Sequence, residues 1–175
     1  MATFWNWIMD GGHVWLGLAS ILVGAAIHFA LSRQRSAAWA LELLLMYSMG
    51  IAGFRGIFNG FVMHIFWADQ LAESIGWPAG NPFQMEVAFA NLAIGVLGAL
   101  CFFRRDVWLS YLIASTIFAG GAGITHIVDM VQNGNFAPNN AGPILYADFL
   151  VPAARILLYV FWMRGRASEP RLAQS

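Results

Sequence analysis

The sequence predicts an all-α integral membrane protein: a five-transmembrane-helix bundle with a short interfacial helix between spans two and three. Three observations carry this reading. The 175 residues are 59% hydrophobic and 10% charged, with a mean hydropathy of +0.64, too apolar for the surface of a soluble domain of this size. The apolar residues gather into five runs, each long enough to supply the ~20 residues needed to cross ~30 Å of hydrocarbon. Finally, the chain has nine basic residues, all arginine. Seven of them follow alternate runs: Arg33 and Arg35 the first, Arg104 and Arg105 the third, and Arg164, Arg166 and Arg171 the fifth. The intervening connections carry only Asp69 and Glu73 or no charge, and Asp10 precedes the first run. Arginine holds a connection on the cytoplasmic side. The expected placement is multi-pass in the cell inner (cytoplasmic) membrane, N-terminus outside and C-terminus cytoplasmic.

The elements follow in order. Residues 1–175 read as a single membrane domain. The opening MATFWNWIMDGGHVW lacks the positive n-region of a signal peptide, so no cleavage is expected, and Trp5 and Trp7 suit interfacial anchors. Span one is about 13–32. Span two, about 38–66, is longer than the bilayer needs and must tilt, kink or project. It carries Gly50, Gly53, Gly56 and Gly60 three to four apart, a small-residue face for close helix packing. Residues 68–75 are too short and polar to cross and suit an interfacial helix, broken by Pro78, Gly80 and Pro82 before span three at 83–103. Trp67 and Trp77 are expected at headgroup level. Span four is about 107–132. The uncharged, turn-rich NGNFAPNNAGP that follows suits an ordered outer loop in which Asn139 and Asn140 form turns. Span five is about 144–163, and 165–175 reads as a polar cytoplasmic tail.

Composition also excludes functions. Net charge is zero, so no basic face for nucleic acid exists. The single cysteine, Cys101, has no intrachain partner and reads as a small buried hydrophobe. No glycine-rich phosphate loop, serine nucleophile elbow or Cys-x-x-Cys is present.

Polar residues inside the spans are the informative ones, because a charge at the bilayer centre costs at least ~2.5–3.5 kcal/mol on insertion scales. With the expected topology, His13, His64, Glu86, His126, Asp129 and Asp148 all fall toward the outer face. Arg55 lies roughly 13 Å below His64 and Arg155 roughly 10 Å below Asp148 at helical rise. Only His28 and Glu42 lie toward the cytoplasm. His126 and Asp129, three apart, share a helix face. These residues predict a buried polar cluster in the outer half. Its candidate metal ligands are His64, Glu86, His126 and Asp129, supported by Arg55, Gln84, Asn91, Asp148 and Arg155. The bland alternative pairs Arg55 with Glu86 and Arg155 with Asp148 simply to neutralise charge.

The segments IGWPAGNPFQMEVAFANLAIGVLG (75–98) and HIVDMVQNGNFAPNNAGPILYADFLVP (126–152) resemble an uncharacterised family of small bacterial and archaeal integral membrane proteins, a domain of unknown function. Its pattern has a GWP…SPFQ.E turn into a FANL…GVLG helix, then GHI…M and N.APGNAGP. Here Asn81 stands in place of the serine and Asn139 in place of a glycine. The resemblance carries no activity. It implies that Gln84, Glu86, Asn91, His126 and the NNAGP loop form one construction on the outer face.

Three function classes follow. A structural or accessory subunit in the lipid bilayer, as homo-oligomer or part of a larger membrane complex, predicts closed Arg–carboxylate pairs, no cavity and a large apolar patch for partner helices. A protein binding a transition metal or haem predicts that His64, Glu86 and His126 converge. A small-solute or proton-coupled transporter predicts a path from the outer cluster to Glu42 and His28. Catalysis is conceivable only in the second class, and none is assigned.

Overall fold

The computed structural model describes residues 12–168. Trp5, Trp7, Asp10 and Arg171, together with the last part of the expected tail, lie outside the described residues. The described chain is helical without strands: α1 His13–Leu31, α2 Ala37–Phe66, α3 Ala68–Ile75, α4 Phe83–Leu100, α5 Trp108–Asn133, the single turn α6 Pro138–Ala141 and α7 Pro143–Ser168. Five of these, α1, α2, α4, α5 and α7, are long and apolar enough to cross a membrane. Their outward faces are apolar: Leu22 is 60% exposed, Ile117 70% and Leu157 59%. An envelope of such side chains suits lipid.

Two boundaries differ from the sequence expectation. Span three stops at Leu100, and 101–103 form a turn. The last helix runs to Ser168, beyond the 163 at which hydrophobicity ends. Arginine is a good helix former, and the Arg166 guanidinium lies 4.9 Å over the Trp162 ring one turn earlier, so the end of the apolar run is not the end of the helix. At the other end of α1, the Arg35 guanidinium donates to the Phe29 and Ala30 carbonyls, both at 2.7 Å, satisfying acceptors that a helix end leaves open. Ser36 starts α2 by accepting from the Trp39 N–H at 3.1 Å.

α2 and α4 form the closest pair, and glycine is the reason. Gly53 lies against the backbone of Gly95, Gly98 and Ala99. Gly56 faces Gly95, and Gly60 faces the side chain of Asn91. The glycine face of α2 is thus a packing face, met by a second small-residue face on α4. From Gly56 to Val62, α2 widens into a π-helix.

The buried core lies at the arginine-rich end, built from Leu45, Met49, Cys101, Trp108, Tyr111, Leu112 and Trp162. Polar tips of the aromatics are satisfied: Trp108 Nε1 donates to the Cys101 carbonyl at 2.9 Å and Trp162 Nε1 to Glu42 Oε2 at 3.0 Å. Glu42 also pairs with Arg105. Cys101 is buried and free.

Candidate functional site

At the opposite end, α3 and α6 cap the bundle, and the polar side chains there are joined residue by residue. α3 ends at Gly76, whose φ of 81° is accessible to glycine without strain. That turn throws Trp77 inward. Its indole stacks on His126, with ring centroids 5.8 Å apart and planes inclined by 22°, and its Nε1 donates to Asp129 Oδ2 at 2.8 Å. Asn135 Nδ2 donates to the same oxygen at 2.6 Å and to the Ile75 carbonyl at 2.8 Å. Asn133 Nδ2 takes Asp129 Oδ1 at 2.7 Å. Both carboxylate oxygens are therefore engaged by N–H donors from the chain itself.

His126 is buried on α5. Asn140 Nδ2 donates to the Asn135 carbonyl at 2.7 Å, which leaves Asn140 Oδ1 facing His126 Nδ1 at 2.7 Å. An amide oxygen accepts, so the proton sits on Nδ1. His126 Nε2 is then turned toward Asp148 Oδ2, 4.0 Å away, an oxygen that is buried and without a hydrogen bond. Imidazole and carboxyl face each other just beyond hydrogen-bond reach. Pro152, inside α7, has no N–H to return to the Asp148 carbonyl, which frees the backbone at this level. Asn139 Nδ2 donates to Ser74 Oγ at 3.0 Å, tying α6 to α3.

The remaining candidates lie apart. His64 Nδ1 pairs with Gln84 Oε1, and Gln84 Nε2 donates to the Ala68 carbonyl at 3.3 Å. This small set joins the ends of α2 and α4 and does not reach His126. Glu86 is exposed on α4, because Gln84, Asn91, Gly95 and Gly98 occupy the face toward α2 and a residue two positions from Gln84 points away. Asn91 donates back to the Val87 carbonyl at 3.0 Å and fills the space opposite Gly60. The expected convergence of His64, Glu86 and His126 does not occur. Among the described residues no three of His, Cys, Asp and Glu come together as a ligand set. The donors also fit a metal poorly, since both Asp129 oxygens and His126 Nδ1 are already committed.

The expected ion pairs are likewise absent among the described residues, where the pairs formed are Arg104–Asp106, Arg105–Glu42 and His126–Asp148. Arg55 does not meet Glu86, which is on the wrong face of α4. Arg155 does not meet Asp148, because its guanidinium reaches across to α2 and donates to the Ser48 carbonyl at 3.0 Å. At the other end, His28 faces Tyr47 and Glu42 is held by Arg105 and Trp162.

Reading the residues one by one missed Trp77, Asn135 and Asn140, although the resemblance did set the NNAGP loop, and with it Asn140, beside His126. Trp77 reads as a headgroup anchor and the asparagines as turn formers. The available signal was an asparagine-rich loop with no charge beside a helix that carries buried His and Asp.

A family model described as a family of unknown function, DUF6790, matches residues 12–168. The chain belongs to that family. The match takes in all five long helices and the whole polar cap. No curated protein and no solved structure matches the chain.

Proposed function

We propose that this DUF6790 member is a structural or accessory membrane subunit, lying as a single multi-pass domain in the inner membrane with its N-terminus outside, its C-terminus cytoplasmic and the polar cap on the outer face. One observation carries the reading: Asp129 has three donors from its own chain and His126 is held by Asn140, so most of the cap's polarity is used to fasten α3, α5 and α6 together. A site for a polar substrate would keep such groups open. The exposed apolar faces of α1 and α5 leave room for partner helices, in a homo-oligomer or a larger membrane complex.

Native electrophoresis of membranes solubilised in a mild non-ionic detergent tests this, with the chain detected by a C-terminal tag. Migration with a mass several times that of the chain plus its micelle is expected. Migration as a monomer at physiological expression would overturn the subunit reading. Orientation has its own check. Green fluorescent protein fused after Ser175 should fluoresce and alkaline phosphatase fused there should be inactive, with the reverse for fusions in the 134–137 connection.

A second reading rests on the facing His126 and Asp148. A buried imidazole facing a buried carboxyl is the kind of pair through which proton-coupled transporters relay protons. Asp148→Asn removes the carboxyl while preserving shape. A proton-linked flux in proteoliposomes that this variant abolishes would favour transport, and absence of flux in the wild-type protein would end that reading.

A further inference from the structure

Two cations in the bundle interior are used neither by the cap nor by the Glu42 knot at the other end. Arg155 is 7% exposed. It spends an Nη2 hydrogen on the Ser48 carbonyl, and its guanidinium lies 5.9 Å from the centroid of the Tyr111 ring. Its Nε–H is buried and meets no acceptor. Arg55 stands on α2 immediately before the π-helical segment. Its side chain lies against α1 at Gly17, where a methyl group would come within 2.6 Å of Nη1, so glycine there is what admits the guanidinium. The Arg55 Nε–H is also buried without an acceptor. The Ser48 carbonyl that holds Arg155 lies seven residues before Arg55 on the same helix, two turns away on the same face and about 10 Å along the axis at helical rise. None of the ion pairs among the described residues involves either arginine.

Two like charges inside an apolar bundle repel strongly and are poorly solvated. A negative group between them reverses the sign of the interaction. The unfilled position on both side chains is Nε–H, and Nε with an adjacent Nη forms the parallel fork that guanidinium offers to an oxyanion. Charge balance selects among oxyanions, since a carboxylate would leave one positive charge over while a phosphate monoester or free phosphate, near −2, cancels both. Arg55 also adjoins the π-helical segment of α2, a distortion found frequently at functional sites. We propose that Arg55 and Arg155 form a phosphate site inside the bundle, between α1, α2 and α7, that takes either free phosphate or the monoester headgroup of a lipid.

The test uses the full chain, purified in an uncharged detergent without phosphate. One arm titrates inorganic phosphate against the thermal midpoint at constant ionic strength. The other places the protein in phosphatidylcholine nanodiscs with and without phosphatidic acid and reads the same midpoint. A saturable rise with phosphate identifies the free anion, a rise only with phosphatidic acid identifies the lipid headgroup, and either supports the site. Arg55→Gln and Arg155→Gln should each weaken the response at least tenfold, while Arg104→Gln should respond like the wild-type protein. Should the glutamine variants not fold, Arg55→Lys and Arg155→Lys keep the charge without the fork and should still bind more weakly. Phosphorus NMR of the wild-type protein gives a readout independent of any variant, with the probe resonance broadened on binding. Sharp, unshifted lines and unchanged midpoints with both probes would overturn the site, as would equal responses from all the variants.

Discussion

Replacing Gly53 by valine is expected to separate α2 from α4. A β-carbon at Gly53 would stand 2.7 Å from the Gly95 carbonyl oxygen and closer still to the backbone of Gly98 and Ala99. Reciprocally, one at Gly98 would stand 2.6 Å from the Gly53 Cα. The neighbours are main-chain atoms, so no side chain can rotate away and the helices themselves must move. Overpacking typically costs about 1–3 kcal/mol, and with backbone on both sides the cost should fall at or above the top of that range. The His64–Gln84 contact joins the same two helices and should be lost with it. Gly121 is the control, because a β-carbon there meets nothing within 4 Å. Gly121→Ala should leave the thermal midpoint in detergent unchanged or raise it slightly, through better helix propensity. Equal behaviour of the two variants would show that the glycine face does not hold this pair together.

Asn140→Ala should open the cap with the bundle otherwise intact. Asn140 is 0% exposed and serves two partners at once, accepting from His126 Nδ1 and donating to the Asn135 carbonyl. Truncation leaves the buried His126 Nδ1–H and the part-buried Asn135 carbonyl without this partner; a fully buried orphan costs about 1–3 kcal/mol and a part-buried one less, so a loss of roughly 2–4 kcal/mol is expected. The effect should be local. Amide exchange should accelerate across 133–142 and around Trp77, with the α2–α4 interface still protected. Asn140→Asp separates the two bonds, because it keeps an acceptor for His126 and loses the donor to Asn135. It should retain the ring stacking of Trp77 on His126 while releasing the loop. Unchanged exchange in both variants would mean that the cap is held by apolar packing alone.

The two predictions differ in how far the sequence foretold them. The glycine spacing of α2 announced a close helix contact, because residues three and four apart share a face whatever the partner. Its partner was not announced, since Gly95 and Gly98 look unremarkable until α4 is oriented. Helix α3 was legible at 68–75 because polarity, length and the following Gly and Pro all point the same way. The cap was legible only as a depth: the span ends put His64, His126, Asp129 and Asp148 at one level. Depth is not contact. Glu86 shares that level and is exposed on α4, whereas Gln84, two residues earlier, faces in and bonds His64. Asn140 reads as a turn former until its amide is found spanning a histidine and a carbonyl.

What the sequence determined by itself is the helical class, the five apolar helices and the family, because hydrophobic length and local spacing are properties of consecutive residues. Tertiary structure alone decided which side of each helix faces the interior, and with it every polar partnership. It gave Asp129 to Trp77 and two asparagines, turned His126 toward Asp148, and left Arg55 and Arg155 out of every ion pair among the described residues. The physical reason is that helix rotation depends on how neighbouring surfaces fit. In this bundle that fit is governed by backbone contact at Gly53, Gly95 and Gly98, which fixes α2 against α4 wherever the polar side chains then point.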